Sequence, residues 1–130
     1  MSASSPARHI PPFDRTVPNG TRVVASVVGR RTVFTVTGEI DLASAPLLAE
    51  AIDDALDSGA VELWIDLGRL DFMDSNGLHV LHRANHRTRV LNRRLAVICP
   101  PGPVRRLFDI AGLGEHVSVY ADRAAAHRGA

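Results

Sequence analysis

The stretch Asp71-Phe72-Met73-Asp74-Ser75-Asn76-Gly77-Leu78 sets one hydroxyl where a short apolar run stops and a helical pattern begins. A serine at such a junction is exposed at the positive end of a helix dipole, and the glycine two residues on adds no bulk. The chemistry this oxygen supports is reversible phosphorylation. A phosphoserine carries about −1.5 to −2 charges at pH 7, and the free N–H groups of a first helical turn favour an anion. Asp74 beside it adds repulsion toward any acidic partner surface, so modification can switch binding without unfolding the domain. The plain structural role of Ser75 is an N-cap, worth about 1 kcal/mol. Position 78 is leucine, so a capping box would lack its acid. Local physics leaves both roles open.

His79, His82 and His86 share one side of the same helix, a geometry that zinc can use. No carboxylate or cysteine joins them at ligand spacing, so a solvated or partner-facing surface is the expectation and no metal is assigned. If that face binds a partner, affinity should vary between pH 6 and 7. Arg83, Arg87, Arg89, Arg93 and Arg94 crowd the later part of this helix, with Arg105 and Arg106 on the next. They suit a helix C-terminus and pairing with an acidic helix at 44–58; without an aromatic stacking platform they do not make a nucleic-acid site. Asp66, Asp71 and Asp74 could mark a phosphoryl-transfer centre, though a turn rich in aspartate is the commoner reason for such a cluster.

The chain has no lysine, which excludes a lysine Schiff base and a phosphate-loop lysine. There is no G-x-S-x-G, Walker, H-E-x-x-H or G-x-G-x-x-G motif, so the chain is poor in enzyme signatures and the aspartate cluster is what a small phosphoryl-transfer enzyme would have to use. Net charge is +1, which gives no bulk attraction to nucleic acid or membrane. No run of about 18 apolar residues and no signal-peptide pattern occurs, which makes a cytoplasmic location the expectation. Cys99 is the sole cysteine and lies in an apolar run, where a buried, inert thiol is expected.

The elements that must position Ser75 follow from periodicity. At 130 residues the chain holds one domain. Residues 1–20, with four prolines and no apolar period, read as a flexible leader. Residues 21–28 and 32–37 read as a β-hairpin. Ser44 is a plausible N-cap, with Pro46 in the first turn of a helix carrying Leu48, Ile52, Ala55 and Leu56 and ending at Ser58-Gly59. Residues 61–67 form a strand buried on both sides. Leu78, Leu81, Ala84, Thr88 and Leu91 mark a helix of about four turns. Residues 95–99 form another buried strand, stopped by the prolines at 100, 101 and 103, and a short helix ends at Gly112. A last strand covers 117–120, and a weak, fraying helix follows, with 127–130 as a disordered tail. The order β-β-α-β-α-β-α-β-α predicts an α/β fold whose opening hairpin is antiparallel and whose later strands are parallel.

With these residues laid out, the chain resembles the STAS-domain family of bacterial anti-sigma factor antagonists. Thr37-Gly38-Glu39-Ile40-Asp41 resembles the family's T-G-E-[LI]-D, and Phe72-Met73-Asp74-Ser75-Asn76-Gly77-Leu78 its F-M-D-S-[ST]-G-L. Pro103 to Leu113 resembles its P-x-V-x-R-[LV]-[FL]-x-x-[ST]-G-L helix. The likeness covers roughly residues 20–126, with the domain itself at 21–126. It implies a mixed sheet with helices packed mainly on one face.

It also implies partner switching. The unphosphorylated domain binds an anti-sigma factor and so releases a sigma factor. That partner is also a serine kinase, phosphorylation on Ser75 turns binding off, and a serine phosphatase resets it. ATP and magnesium would belong to the kinase, and this chain would need no cofactor. The expected contact face comprises Glu39, Asp41 and Ser44 in the 38–44 loop, Asp74, Asn76 and Gly77 at the helix start, and His79 and His82. Asn76 departs from the family pattern, where a second serine or threonine is usual. The alternative is a STAS-type interaction module or scaffold subunit that does not switch, with Ser75 only capping its helix.

Overall fold

A computed structural model describes residues 13–16 and 20–129 of the chain. Among these residues six strands, β1 (Phe13–Thr16), β2 (Arg22–Val28), β3 (Arg31–Ile40), β4 (Glu62–Met73), β5 (Arg94–Ile98) and β6 (Ser118–Tyr120), form one sheet in sequence order. β1, β2 and β3 pair antiparallel, and β3 to β6 pair parallel. The parallel pairs are joined through α1 (Ala45–Asp57), α2 (Ser75–Val90) and α3 (Pro103–Ala111), and α4 (Arg123–Gly129) closes the chain. This is the predicted architecture, a hairpin leading into parallel strands.

Strand alternation divides the core. Phe34, Val36, Leu63, Ile65, Leu67 and Val97 face α1, α2 and α3, which contribute Leu48, Ile52, Leu56, Leu81, Ala84 and Phe108. Each such Leu or Ile buried away from water contributes roughly 1.5–3 kcal/mol. On the opposite face Val33, Trp64 and Ile98 meet Ala126 of α4 in a second, smaller cluster. Trp64 is only 1% exposed: Arg31 lies over its ring at 3.7 Å, His127 packs on it edge-on at 4.8 Å, and its indole N–H donates to Glu62. Residues 127–129 are therefore helix, and the expectation of a disordered tail there is corrected. Ala130 lies outside the described residues.

Two further differences have physical causes. β1 lies within the segment read as a leader. It forms because β2 presents a free edge, and Arg22 clasps Asp14 across the pair with Nε to Oδ1 at 2.8 Å. The remainder of that segment, residues 1–12 and 17–19, lies outside the described residues. β4 runs six residues past the predicted strand end. Asp66 bends it by accepting from the Gly68 amide at 2.8 Å, and pairing with β3 then resumes through Ile40 and Met73.

Candidate functional site

The end of β4 delivers the chain into α2 through Asp74, whose amide donates to the Ile40 carbonyl of β3 at 3.1 Å. Asp74, not Ser75, is the N-cap. Its φ of −109° and ψ of −168° are extended, and its Oδ1 accepts from the Asn76 amide at 2.9 Å and from Asn76 Nδ2 at 3.1 Å. The expected capping role of Ser75 is thereby corrected. A carboxylate already serves the orphan donor, so Ser75 sits one residue inside the helix, exposed, and its hydroxyl has no hydrogen-bond partner among the described residues. Met73 before the cap and Leu78 four residues after it both enter the main core, as in a hydrophobic staple, and this fixes the helix start without a capping-box acid.

Gly77 is buried against Met73. A Cβ built there would fall 2.5 Å from Met73 Cγ and 2.8 Å from its sulfur. Gly77→Ala is expected to lose about 1–2 kcal/mol of stability, overpacking outweighing the better helix propensity of alanine, as read by urea unfolding. An unchanged midpoint would show that Met73 moves aside freely.

The loop after β3 stands beside this turn. Ser44 occupies the N-cap position of α1, but its hydroxyl makes no cap bond. It donates instead to the Glu39 carbonyl at 2.8 Å and accepts from the Asp41 amide at 3.0 Å. Asp41 Oδ1 accepts from the amides of Ala43 and Ser44, each at 3.0 Å, and the Thr21 hydroxyl also donates to the Glu39 carbonyl. Of the predicted contact residues, Glu39 and His79 are exposed, while Asp41, Asp74, Asn76 and His82 are half-buried. Ser44 and Gly77 are buried, so the Ser44 side chain and the Gly77 backbone support this surface from beneath. The structure brings the 39–44 loop and the start of α2 together through the β3–β4 pairing.

His82 turns toward His116, with ring centroids 6.4 Å apart, and His79 and His86 point outward. Among the described residues no group of three His, Cys, Asp or Glu could hold a metal ion. The three aspartates do not form a turn, which corrects that reading. Asp66 lies within β4, held by Arg123 at 2.7 Å, Asp71 lies five residues further along the strand, and Asp74 caps α2. Five strand residues span roughly 16 Å, so Asp66 and Asp71 share no centre. The arginines of α2 pair as predicted with the acidic helix: Arg83 and Arg87 reach Asp53 at 3.2 and 2.7 Å, and Arg87 reaches Asp57 at 3.3 Å. Burial pushes the Cys99 thiol up to about 11, so it is protonated and inert at neutral pH.

Sequence reasoning missed an apolar surface beside Ser75. Phe72 is 47% exposed, Leu42 77% and Ile110 85%. Phe72, Val104, Leu107 and Ile110 line a groove of about 340 Å³ between the end of β4 and α3. The readable signal was Ile110, an apolar residue off the buried stripe of α3.

The fold and this turn define a STAS domain, and the sequence profile of that family matches residues 22–126; the chain belongs to the STAS-domain family. Among its relatives is an anti-sigma-B factor antagonist of Listeria monocytogenes, 33% identical over 84 residues, which are 65% of this chain and 74% of that one. An anti-sigma factor antagonist from Mycobacterium paratuberculosis superimposes with a TM-score of 0.76 at 25% identity, covering 83% of this chain and 92% of the other. The unphosphorylated anti-sigma factor antagonist SpoIIAA superimposes with a TM-score of 0.70 at 25% identity, covering 82% and 94%. Among the described residues no helix is long and apolar enough to cross a membrane.

Proposed function

We propose that this chain is an anti-sigma factor antagonist that works by partner switching, with Ser75 as the switched atom. The observation that carries the reading is the state of the Ser75 hydroxyl: exposed, without a hydrogen-bond partner among the described residues, at the start of a helix whose cap is supplied by its neighbour. The relatives named as anti-sigma factor antagonists support the identity of the partner. In the unphosphorylated form the 39–44 loop, the first turn of α2 and the apolar groove bordered by Phe72 and Ile110 meet an anti-sigma factor, which then releases its sigma factor. That anti-sigma factor is the serine kinase, and a serine phosphatase restores the free hydroxyl. ATP and magnesium are bound by the kinase, and this chain acts by binding alone, in the cytoplasm.

Phosphate on Ser75 would place about −1.5 to −2 charges between Asp74 and the partner, beside the apolar patch that must be desolvated. Incubation of the chain with its cognate kinase, ATP and magnesium, followed by peptide mass mapping, tests this. One phosphate on Ser75 is expected. Modification at another residue, or none, would return the chain to the class of STAS modules that do not switch. Asn76 removes the second hydroxyl of the family motif, so the doubly modified peptide should be absent.

A further inference from the structure

At the pole opposite Ser75, where β4, β5 and β6 begin, α4 roofs a cavity of about 260 Å³ on the second face of the sheet. Arg94, Ser118 and Tyr120 line it between a floor of Ala96 and the Ala126 side of α4. Glu62 also borders it but is already engaged, with Oε2 accepting from the Trp64 indole at 3.0 Å and Oε1 lying 3.5 Å from Arg31 Nε. Arg94 is the register neighbour of Glu62, yet among the described residues its guanidinium has no carboxylate partner. The hydroxyls of Ser118 and Tyr120 likewise have no hydrogen-bond partner there. Three unused polar groups thus converge on one small, partly apolar space, the usual make-up of a ligand site.

The lining restricts the ligand. Glu62 is already opposed by Arg31, which lies outside the lining, so Arg94 is the lining cation left for a ligand and a second negative charge would face Glu62 uncompensated. A guanidinium fork matches a carboxylate in two parallel hydrogen bonds, and the two hydroxyls can donate to the same oxygens. The volume lies below the ~300–1,000 Å³ of drug-sized sites, and the alanine floor has no room-filling side chains of its own. We propose that this cavity binds a small monocarboxylate with a flat apolar body, its carboxylate on Arg94, Ser118 and Tyr120 and its body between Ala96 and Ala126 beneath α4. The site lies at the far end of the strands from Ser75, so it stands or falls independently of the switching reading.

Titration of the full chain with benzoate, followed by amide NMR shifts, tests the proposal. Saturable shifts are expected at Arg94 to Ala96, Ser118 to Tyr120 and Ala126. Benzamide, which has the same shape without the charge, should bind about tenfold more weakly or worse. Arg94→Gln should lose a similar factor with an unchanged unfolding midpoint, since this side chain is exposed, and Tyr120→Phe should weaken binding while keeping the ring. Non-saturating shifts, shifts spread over the arginine-rich surface, equal binding of benzamide, or full binding by Arg94→Gln would each overturn the site.

Discussion

Ser75→Asp is expected to weaken binding to the anti-sigma factor about 30-fold, or ~2 kcal/mol, while Ser75→Ala binds as the parent chain does. The stoichiometrically phosphorylated chain should be weaker still, by about 1,000-fold, because its charge is nearly twice that of aspartate. The asymmetry follows from the geometry. The serine hydroxyl makes no bond among the described residues, so its removal leaves no buried group unsatisfied. A charge added there must be desolvated against whatever covers Phe72, three residues before it and 47% exposed. Isothermal titration of the three forms against the purified partner measures this. If alanine and aspartate bound equally, charge at residue 75 would not be the switch, and steric exclusion of the phosphate would have to replace it.

The second large effect is on stability. Gly38 has φ of +90°, and a Cβ there would fall 2.8 Å from the Gly20 carbonyl oxygen and 3.0 Å from Thr21 Cα, both backbone atoms that cannot rotate away. Gly38→Ala should therefore combine backbone strain with overpacking and cost about 3 kcal/mol, a fall in Tm of roughly 15 °C. Gly29 is the control. It also has positive φ, +64°, but nothing lies within 4 Å of its would-be Cβ. Gly29→Ala should cost about 1 kcal/mol, from conformation alone. Equal losses in the two variants would show that the close approach of residues 20–21 to the Thr37-Gly38-Glu39 segment contributes nothing. That approach matters for the site, since the Thr21 and Ser44 hydroxyls both donate to the Glu39 carbonyl and set the loop beside Ser75.

Much of this was legible in the sequence, because periodicity reports which side of an element meets the core. The alternation of residues 32–37, the three- and four-residue steps of Leu78, Leu81 and Ala84, and the Pro100-Pro101-Gly102-Pro103 stop all mark real elements. What failed depends on partners distant in sequence. β1 has no pattern of its own and exists because the edge of β2 is open to it. Asp66, Gly68 and Asp71 look like a turn, and they extend as strand because β3 runs alongside. Asp74 and Ser75 are equally good capping residues, and only the backbone angle at which the chain leaves β4 decides between them. The burial of Ser44, and the way α4 folds over Trp64, follow in the same way from contacts across the fold. The exposed apolar groove escaped notice because Phe72 of β4 and Val104, Leu107 and Ile110 of α3 converge only in space.

The division of labour between Asp74 and Ser75 also bears on time. A serine that capped its own helix would surrender a structural hydrogen bond at every modification, and the first turn would have to re-form after each hydrolysis. Here the carboxylate next door keeps the helix started whether or not the neighbouring oxygen is esterified. Under the proposed switch the pace of signalling would be left to the enzymes that add and remove the phosphate and to partner dissociation, with no folding step inside the cycle. A domain so switched could be written and erased many times without wear.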